Sequence, residues 1–285
     1  MQPSELIAET RKLFALPDIA MRVNELLDDP NSSSDSIARE LQLDTGLAAT
    51  LMRVANSAFY GLVAKVDTIP KAVTMVGRVA LKDLIISVTL IRSFRGIPED
   101  VIRMVDFWDN SLVCGIVART LARTSRRAQP ERMFLAGMLH KIGRLVFFAS
   151  RLEEYRKVLV KGAQSGRDIA ALESEVFGFD YAELGAALLE SWHFPPVLGV
   201  AVANQLHPMP HAAFPLESAI LHVAAEMAES MSPDIHAGTP TNTYLAEFSP
   251  ETLMPLGLSN DDLIAVMDTS FDQALELIAI VNPRR

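Results

Sequence analysis

Apolar residues recur along almost the whole chain at the three- and four-residue spacing that is typical of amphipathic helices. Leu47, Leu51 and Val54, for example, fall on one face of their segment. Prolines suited to the first turn of a helix stand at Pro70, Pro98 and Pro130. The helix that begins at Pro130 is predicted to run through His140 to Phe148. No run of alternating apolar and polar residues indicates a strand, so the pattern predicts an all-α fold, a compact multi-helix bundle.

Two breaks in this helical pattern predict three regions. The first break, at Gly96-Ile97-Pro98, separates an N-terminal helical region, residues 1–95, from a second helical region, residues 96–231. The second break is Ser232–Thr243, which is rich in Pro, Gly, Thr and Asn and therefore predicts a loop. The remaining residues, 232–285, form the third region, a loop followed by a helix packed on the body.

Composition and charge narrow the function. The chain of 285 residues has a formal net charge of −9, whereas binding to nucleic acid requires clustered Lys and Arg. The longest apolar stretches, Leu81–Ile91 and Ala274–Val281, are too short to span a bilayer, which takes about 20 residues. Cys114 is the single cysteine, and its apolar neighbours indicate an inert thiol in the core. We therefore expect a cytoplasmic protein with no nucleic-acid or membrane partner.

A short segment that begins with two polar residues follows the apolar segment that contains Leu47. It reads Asn56-Ser57-Ala58-Phe59-Tyr60-Gly61, and Ile69-Pro70 and Val76-Gly77 come after it. Asn and Ser near a helix end commonly cap backbone groups or form a turn, which would explain Asn56 and Ser57 without a ligand. Contact of Asn56, Ser57 and Tyr60 with a ligand or a partner is the alternative.

The second half contains a further set of ordered motifs. They are Phe107-Trp108, Ala136-Gly137-Met138-Leu139-His140, Ile142-Gly143, Ala182-Glu183-Leu184-Gly185, and Trp192 with Pro195. Over roughly residues 10 to 230, the order and spacing of both sets resemble the HDOD domain family. The second set resembles the HD-derived part of that family. The resemblance implies a helical domain of bacterial signal-transduction proteins with a degenerate HD-type second half.

The same resemblance implies a metal-ligand set that this chain does not retain. In HD phosphohydrolases, His and Asp side chains hold a divalent metal that polarises phosphate and activates water. The matching positions here are Asn110, His140-Lys141, Tyr181 and His207. An ammonium in place of a carboxylate changes the local charge by about two units, and each unit costs several kcal/mol at ~4 Å and a dielectric near ~20. We therefore predict no bound metal, no other cofactor and no hydrolase activity.

Lys141 and Arg144 lie about one helical turn apart, and three interpretations of them stay open. The Lys141 ammonium replaces the lost metal charge, the two cations form a small anion pocket, or both are simply solvated. Trp108 is a further candidate for contact with a ligand or partner.

The resemblance favours a non-catalytic regulatory domain that binds a signalling protein or a small anionic ligand. Four methionines are candidates to line a groove for a partner helix, although Met at helical spacing more often fills a core: Met133, Met138, Met227 and Met231. The alternative function is a metal-dependent nucleotide phosphohydrolase or phosphodiesterase of the HD superfamily. It predicts bound metal and turnover that chelation abolishes.

Two further features have ordinary structural explanations. Ile37–Leu41 followed by Asp44–Asn56 has the look of a DNA-binding helix–turn–helix, but Arg53 is the only cation on its second helix, so two packed core helices explain it better. The last helix, predicted from about Ser259 to Val281, must bury its apolar face on the body of the protein or in a homodimer.

Overall fold

The chain is described by a computed structural model that covers residues 2–10, 14, 17–93, 101–210, 213–237, 248 and 250–281. Within these ranges it contains sixteen α-helices and no β-strand, which confirms the predicted all-α class. The helices are α1 (Pro3–Thr10), α2 (Asp18–Asp28), α3 (Ser34–Leu41), α4 (Thr45–Ala55), α5 (Ile69–Val76), α6 (Arg78–Ser93), α7 (Met104–Ser125), α8 (Pro130–Leu139), α9 (Ile142–Ser150), α10 (Leu152–Ser165), α11 (Ile169–Phe177), α12 (Tyr181–Ser191), α13 (Pro196–Ala203), α14 (Pro215–Ala237), α15 (Pro250–Leu253) and α16 (Asn260–Val281).

Asp and Thr side chains cap the N-termini of two helices in the N-terminal region. The Asp44 carboxylate accepts a hydrogen bond of 2.8 Å from the Leu47 N–H at the start of α4. The Thr68 hydroxyl accepts one of 3.3 Å from the Lys71 N–H, and Pro70 fills the first turn of α5. Each cap satisfies an N–H group that has no partner within the helix.

Arg78 fastens the end of α2 to the start of α6. Its guanidinium donates hydrogen bonds to the carbonyl oxygens of Leu26 at 2.6 Å and Leu27 at 3.1 Å. It also reaches the carbonyls of Asp29 at 2.8 Å and Ser32 at 3.0 Å. A helix C-terminus leaves its last carbonyls without intrahelical donors, and one cation here satisfies several of them.

The second helical region is built around α7, which packs against α8, α14 and α16. The backbones of α7 and α8 nearly touch, because a Cβ atom on Gly137 would lie 2.6 Å from the Cα atom of Gly115. Cys114 beside this contact is buried, and burial raises the pKa of its thiol. This environment fits the inert core thiol expected from its neighbours.

The prediction of one helix from Pro130 to Phe148 is wrong. The structure has α8 and α9, separated by His140 and Lys141. Lys141 leaves helical geometry, with φ −106° and ψ 11°, and its side chain bonds to residues of α7 and α14. Periodicity cannot detect this break, because apolar residues continue at helical spacing on both sides of it.

The prediction of a loop from Ser232 is wrong for residues 232–237. Helix α14 continues to Ala237, and the Ser232 hydroxyl donates a hydrogen bond of 2.8 Å to the Ala228 carbonyl within it. The predicted boundary after residue 231 therefore falls inside a helix. Residues 238–243 lie outside the described residues, as does the predicted break at Gly96-Ile97-Pro98.

Helix α16 covers its apolar face on its own chain. It packs against α7 and α4 and buries Leu263, Phe271 and Leu277. Of the two alternatives for the last helix, packing on the body is therefore the arrangement that this fold contains.

Among the described residues, one run, which comprises α8 and α9, has the length and composition of a membrane span. It is Pro130–Ser150, and 83% of its most apolar window is buried inside the protein. The stretches singled out from the sequence, Leu81–Ile91 and Ala274–Val281, do not meet those criteria. The segment is therefore part of the packed core of this fold.

Asp83 makes stability depend on pH at the contact between α6 and α8. Its side chain is buried, and burial raises the pKa of this carboxyl to about 7, to which Glu131 of α8 contributes repulsion. Folding therefore favours the protonated carboxyl. Relative to the charged form, the protonated form stabilises the fold fully below the ordinary pKa of 3.8, and this contribution is lost as pH rises through about 7. We expect Asp83→Asn to raise the free energy of unfolding at pH 8 by about 1–3 kcal/mol.

Urea unfolding of wild type and Asp83→Asn at pH 4 and pH 8 measures this effect. The two proteins should differ little at pH 4. An equal difference at both pH values would show that Asp83 does not titrate in this range.

Candidate functional site

Lys141 lies between α8 and α9 and connects two other helices. Its Nζ atom donates a hydrogen bond of 3.0 Å to Oδ1 of Asn110 on α7 and another to Oε1 of Glu229 on α14. The Asn110 amide in turn donates to the Ser232 hydroxyl at 3.0 Å. The Lys141 side chain is 11% exposed. Burial lowers the pKa of Lys141, and the neighbouring Glu229 carboxylate opposes that change by favouring the ammonium form.

His140 is turned into the core. Its Nδ1 atom lies 2.7 Å from the Gly137 carbonyl, and its own carbonyl accepts a hydrogen bond of 2.7 Å from the Gln205 amide. Burial, with Lys141 adding repulsion, holds the pKa of the imidazole well below its usual range. The ring is therefore neutral. Because the Gly137 carbonyl can only accept a hydrogen bond, the proton of the ring lies on Nδ1. Its Nε2 atom is buried without a hydrogen-bond partner among the described residues.

Arg144 lies in the first turn of α9, near the buried carboxylate of Glu173. Its guanidinium lies 4.3 Å from the centroid of the Tyr181 ring. The Glu173 carboxylate accepts hydrogen bonds from the Tyr155 hydroxyl at 2.6 Å and from the Tyr181 N–H at 2.7 Å. Burial raises the pKa of Glu173 to about 7. Burial opposes the charge of Arg144, but Tyr155, Tyr181 and Glu173 together raise its pKa, so the guanidinium stays cationic.

These groups surround a cavity of about 180 Å³. Its lining consists of Lys141, Arg144, Asp168, Tyr181, Gln205, Leu206, His222, Ala225, Glu226 and Glu229. Nδ1 of His222 lies 2.7 Å from the Gln205 carbonyl, which fixes the ring at one wall. The cavity therefore combines two cations with hydrogen-bonding side chains at the junction of α9, α12 and α14.

The structure brings together most of the positions that the resemblance singled out. Asn110 and Lys141 are in contact, and Tyr181 lines the cavity beside Lys141. His207 is exposed and does not line it.

Asn56, Ser57 and Tyr60 lie elsewhere, and their polar groups bond to the backbone. The Asn56 amide accepts a hydrogen bond of 2.8 Å from the Val66 N–H and donates one of 2.7 Å to the Val66 carbonyl. The Ser57 hydroxyl donates to Val54 O at 2.7 Å, and the Tyr60 hydroxyl lies 3.5 Å from a backbone carbonyl of α6. These contacts support the capping and turn explanation over a ligand contact.

Trp108 and the four methionines are core residues. The Trp108 ring is 3% exposed and lies edge-on to the Phe107 ring at 5.1 Å. All four methionines suggested for a groove are likewise buried: Met133, Met138, Met227 and Met231. None of the five presents a surface to a partner.

Sequence reasoning missed Glu229. It lies 88 residues from Lys141, and a contact over that separation leaves no local pattern. The spacing of seven residues between His222 and Glu229 puts both on one face of α14, and that spacing was the available signal.

The donor set does not fit a divalent metal of the kind that HD phosphohydrolases bind. Asn110 offers a neutral amide oxygen that is already bonded to Lys141, and a protonated Lys offers no lone pair. The lone pair of His140 is enclosed in the core. Among the described residues, no group of three or more His, Cys, Asp and Glu side chains is placed to hold a metal ion.

Solved structures with the same fold come from several bacteria. A candidate phosphohydrolase from Shewanella amazonensis SB2B is 26% identical, with a TM-score of 0.73 over 97% of each chain. A candidate signal-transduction protein from Marinobacter aquaeolei VT8 is 20% identical, with a TM-score of 0.66 over 92% of this chain and 59% of that one. An HDOD domain protein of unknown function from Geobacter sulfurreducens is 22% identical, with a TM-score of 0.62 over 93% and 87%.

Sequence similarity gives the same assignment. An uncharacterised protein of Treponema pallidum is 27% identical over 203 residues, which is 69% of this chain but 38% of that protein. The chain thus spans well under half the length of this relative. The HDOD domain family matches residues 13–208. Because that match covers more than half of the residues, the chain belongs to the HDOD domain family.

Proposed function

We propose that this chain is a non-catalytic signal-transduction domain in which the Lys141 ammonium replaces a metal ion. The observation that carries the proposal is the position of Lys141 Nζ, bonded to Asn110 on one side and to Glu229 on the other. A cation held between α7 and α14 performs the structural part of a metal's role. It cannot polarise a phosphate or lower the pKa of a water molecule as a divalent ion does.

Electrostatics supports this proposal. A dication placed at ~4 Å from the ammonium would be repelled by several kcal/mol at an effective dielectric near ~20. Lys141 would have to leave Glu229 and lose its proton before a metal could bind there. A regulatory domain of this type acts by binding, and we propose that it passes a signal to a protein partner in the cytoplasm.

The alternative is a metal-dependent nucleotide phosphohydrolase. It gains support from the Shewanella amazonensis neighbour, a candidate phosphohydrolase. Metal content separates the two functions. We expect protein from metal-supplemented culture, purified without chelator or metal-binding tag, to carry far less than one equivalent of transition metal. We also expect no chelator-sensitive hydrolysis of a chromogenic phosphodiester. Near-stoichiometric iron, manganese, nickel or zinc together with such hydrolysis would overturn the proposal.

A double variant tests the role of the two replaced positions directly. Asn110→His with Lys141→Asp supplies two metal ligands and removes the ammonium, so its metal content should exceed that of wild type. Lys141→Met is the matched control, because it removes the charge without adding a ligand. Equal metal content in the double variant and in Lys141→Met would show that these positions do not face a metal site.

A further inference from the structure

The cavity beside Lys141 contains a guanidinium without an acceptor. Among the described residues Arg144 has no hydrogen bond or ion pair, and its Nε atom is completely buried. Its contact with the Tyr181 ring uses a face of the guanidinium and leaves the N–H groups at the edge unused. The hydrogen bonds that Glu173 accepts among the described residues come from Tyr155 and Tyr181, not from Arg144. A buried N–H without an acceptor costs free energy, so this geometry is suited to an acceptor that enters from the cavity.

Two further groups of the cavity have unused hydrogen-bonding capacity. Lys141 carries three N–H donors, of which Asn110 and Glu229 take two. Oε1 of Gln205 is buried without a donor among the described residues, while its amide nitrogen donates to the backbone. A ligand that accepts from Arg144 and Lys141 and donates to Gln205 would satisfy all three. A hydrogen phosphate has both the oxygens and the O–H that this requires.

The three acidic residues of the lining make no hydrogen bond or ion pair with Arg144 among the described residues. Glu229 is paired with Lys141. The Asp168 carboxylate accepts hydrogen bonds from the N–H groups of Ala170 and Ala171 at the start of α11. Glu226 is exposed and therefore lies at the rim. Among the described residues, the Arg144 guanidinium at the inner wall has no ion pair, although Glu173 and Glu229 lie near enough to favour its charged form.

We infer that this cavity binds a phosphate-type oxyanion, as free phosphate or as the terminal group of a phosphomonoester, on Arg144, Lys141 and Gln205. The volume of about 180 Å³ is below the ~300 Å³ at which pockets for drug-sized ligands begin, so a phosphate group enters but a nucleoside does not. The inference rests on the proposed function, because it requires Lys141 to be free of metal.

Titration calorimetry of the full chain with inorganic phosphate at pH 7 and constant ionic strength tests the inference. We expect saturable binding at one site. Arg144→Gln should weaken it by about tenfold to a hundredfold, since a charge-assisted hydrogen bond is lost. Adenosine 5′-monophosphate in a parallel titration distinguishes the source. Equal or tighter binding of the nucleotide indicates a phosphomonoester, and binding of phosphate alone indicates the free ion.

Glu226→Gln keeps the test informative even where Arg144→Gln is unstable. Removing the negative charge at the rim should tighten phosphate binding by about twofold to fivefold. Arg123→Gln, at an exposed cation on α7 outside the cavity, should leave binding unchanged. Absence of saturable binding, or identical affinities for wild type, Arg144→Gln and Glu226→Gln, would overturn the inference. The metal measurement is independent of phosphate, so a failure here does not count against the proposed function.

Discussion

Gly143→Ala is expected to lower the free energy of unfolding by at least about 3 kcal/mol. A Cβ atom at this position of α9 would lie 2.1 Å from the carbonyl oxygen of Tyr181 and 2.6 Å from the N atom of Gly185. Both atoms belong to the backbone of α12, so no side-chain rotation relieves the clash. The two helices must separate, and the contact that positions Tyr181 beside Arg144 opens with them. A thermal melt should show a decrease of at least about 5 °C in Tm.

Gly199→Ala is the matched control for this prediction. Gly199 is also a helical glycine, in α13, but a Cβ atom there would lie 3.7 Å from the Ala186 carbonyl, an ordinary contact. Alanine is the better helix former, so this variant should be as stable as wild type or more stable by up to about 1 kcal/mol. Equal melting temperatures for the two variants would show that α9 and α12 are not in backbone contact.

Gly143 also shows which part of the fold sequence reasoning could reach. The dipeptide Ile142-Gly143 was one of the motifs that carried the family resemblance, although its helical pattern gave no reason for a glycine. The reason is a close approach to α12, about 40 residues further along the chain. Helical class was predictable, because burial of one face imposes a local period, whereas helix-to-helix contacts depend on pairs of residues far apart in sequence.

The candidate site, too, was predictable from the sequence only in part. Chemistry at single positions was readable from the sequence, since an amide at Asn110 and an ammonium at Lys141 are poor metal ligands wherever they lie. The partner of that ammonium was not readable, because Glu229 is one of many acidic residues on amphipathic helices. The helix break at Lys141 and the missed Glu229 have one origin, a contact between three helices that no single segment encodes.

Arg119 connects the segment Asn56–Gly61 to the second helical region. Its replacement should cause the second large loss in the free energy of unfolding. Arg119 is 5% exposed. Its guanidinium donates a hydrogen bond of 2.8 Å to the Phe59 carbonyl and another of 2.9 Å to the Glu131 carboxylate. The guanidinium also lies 4.1 Å from the centroid of the Phe59 ring. Arg119→Met fills similar volume but leaves a buried carbonyl and a carboxylate without their donor. We expect unfolding in urea to show a loss of about 2–4 kcal/mol, below the limit for a fully buried pair because Glu131 is 25% exposed.

A double-mutant cycle separates the ion pair from the rest of this cost. Glu131→Met alone leaves the guanidinium partly uncompensated, and the pair of variants together removes both charges, so the coupling energy should be about 1–3 kcal/mol. Hydrogen exchange shows where the structure is weakened. In Arg119→Met the amides of residues 56–61 should lose protection before those of α8. Arg123→Met, one turn along the same helix but exposed, controls for the loss of a cation and should stay within about 0.5 kcal/mol of wild type. Additive effects of Arg119→Met and Glu131→Met, with unchanged exchange at 56–61, would mean that Arg119 contributes through packing and does not tie the two regions together.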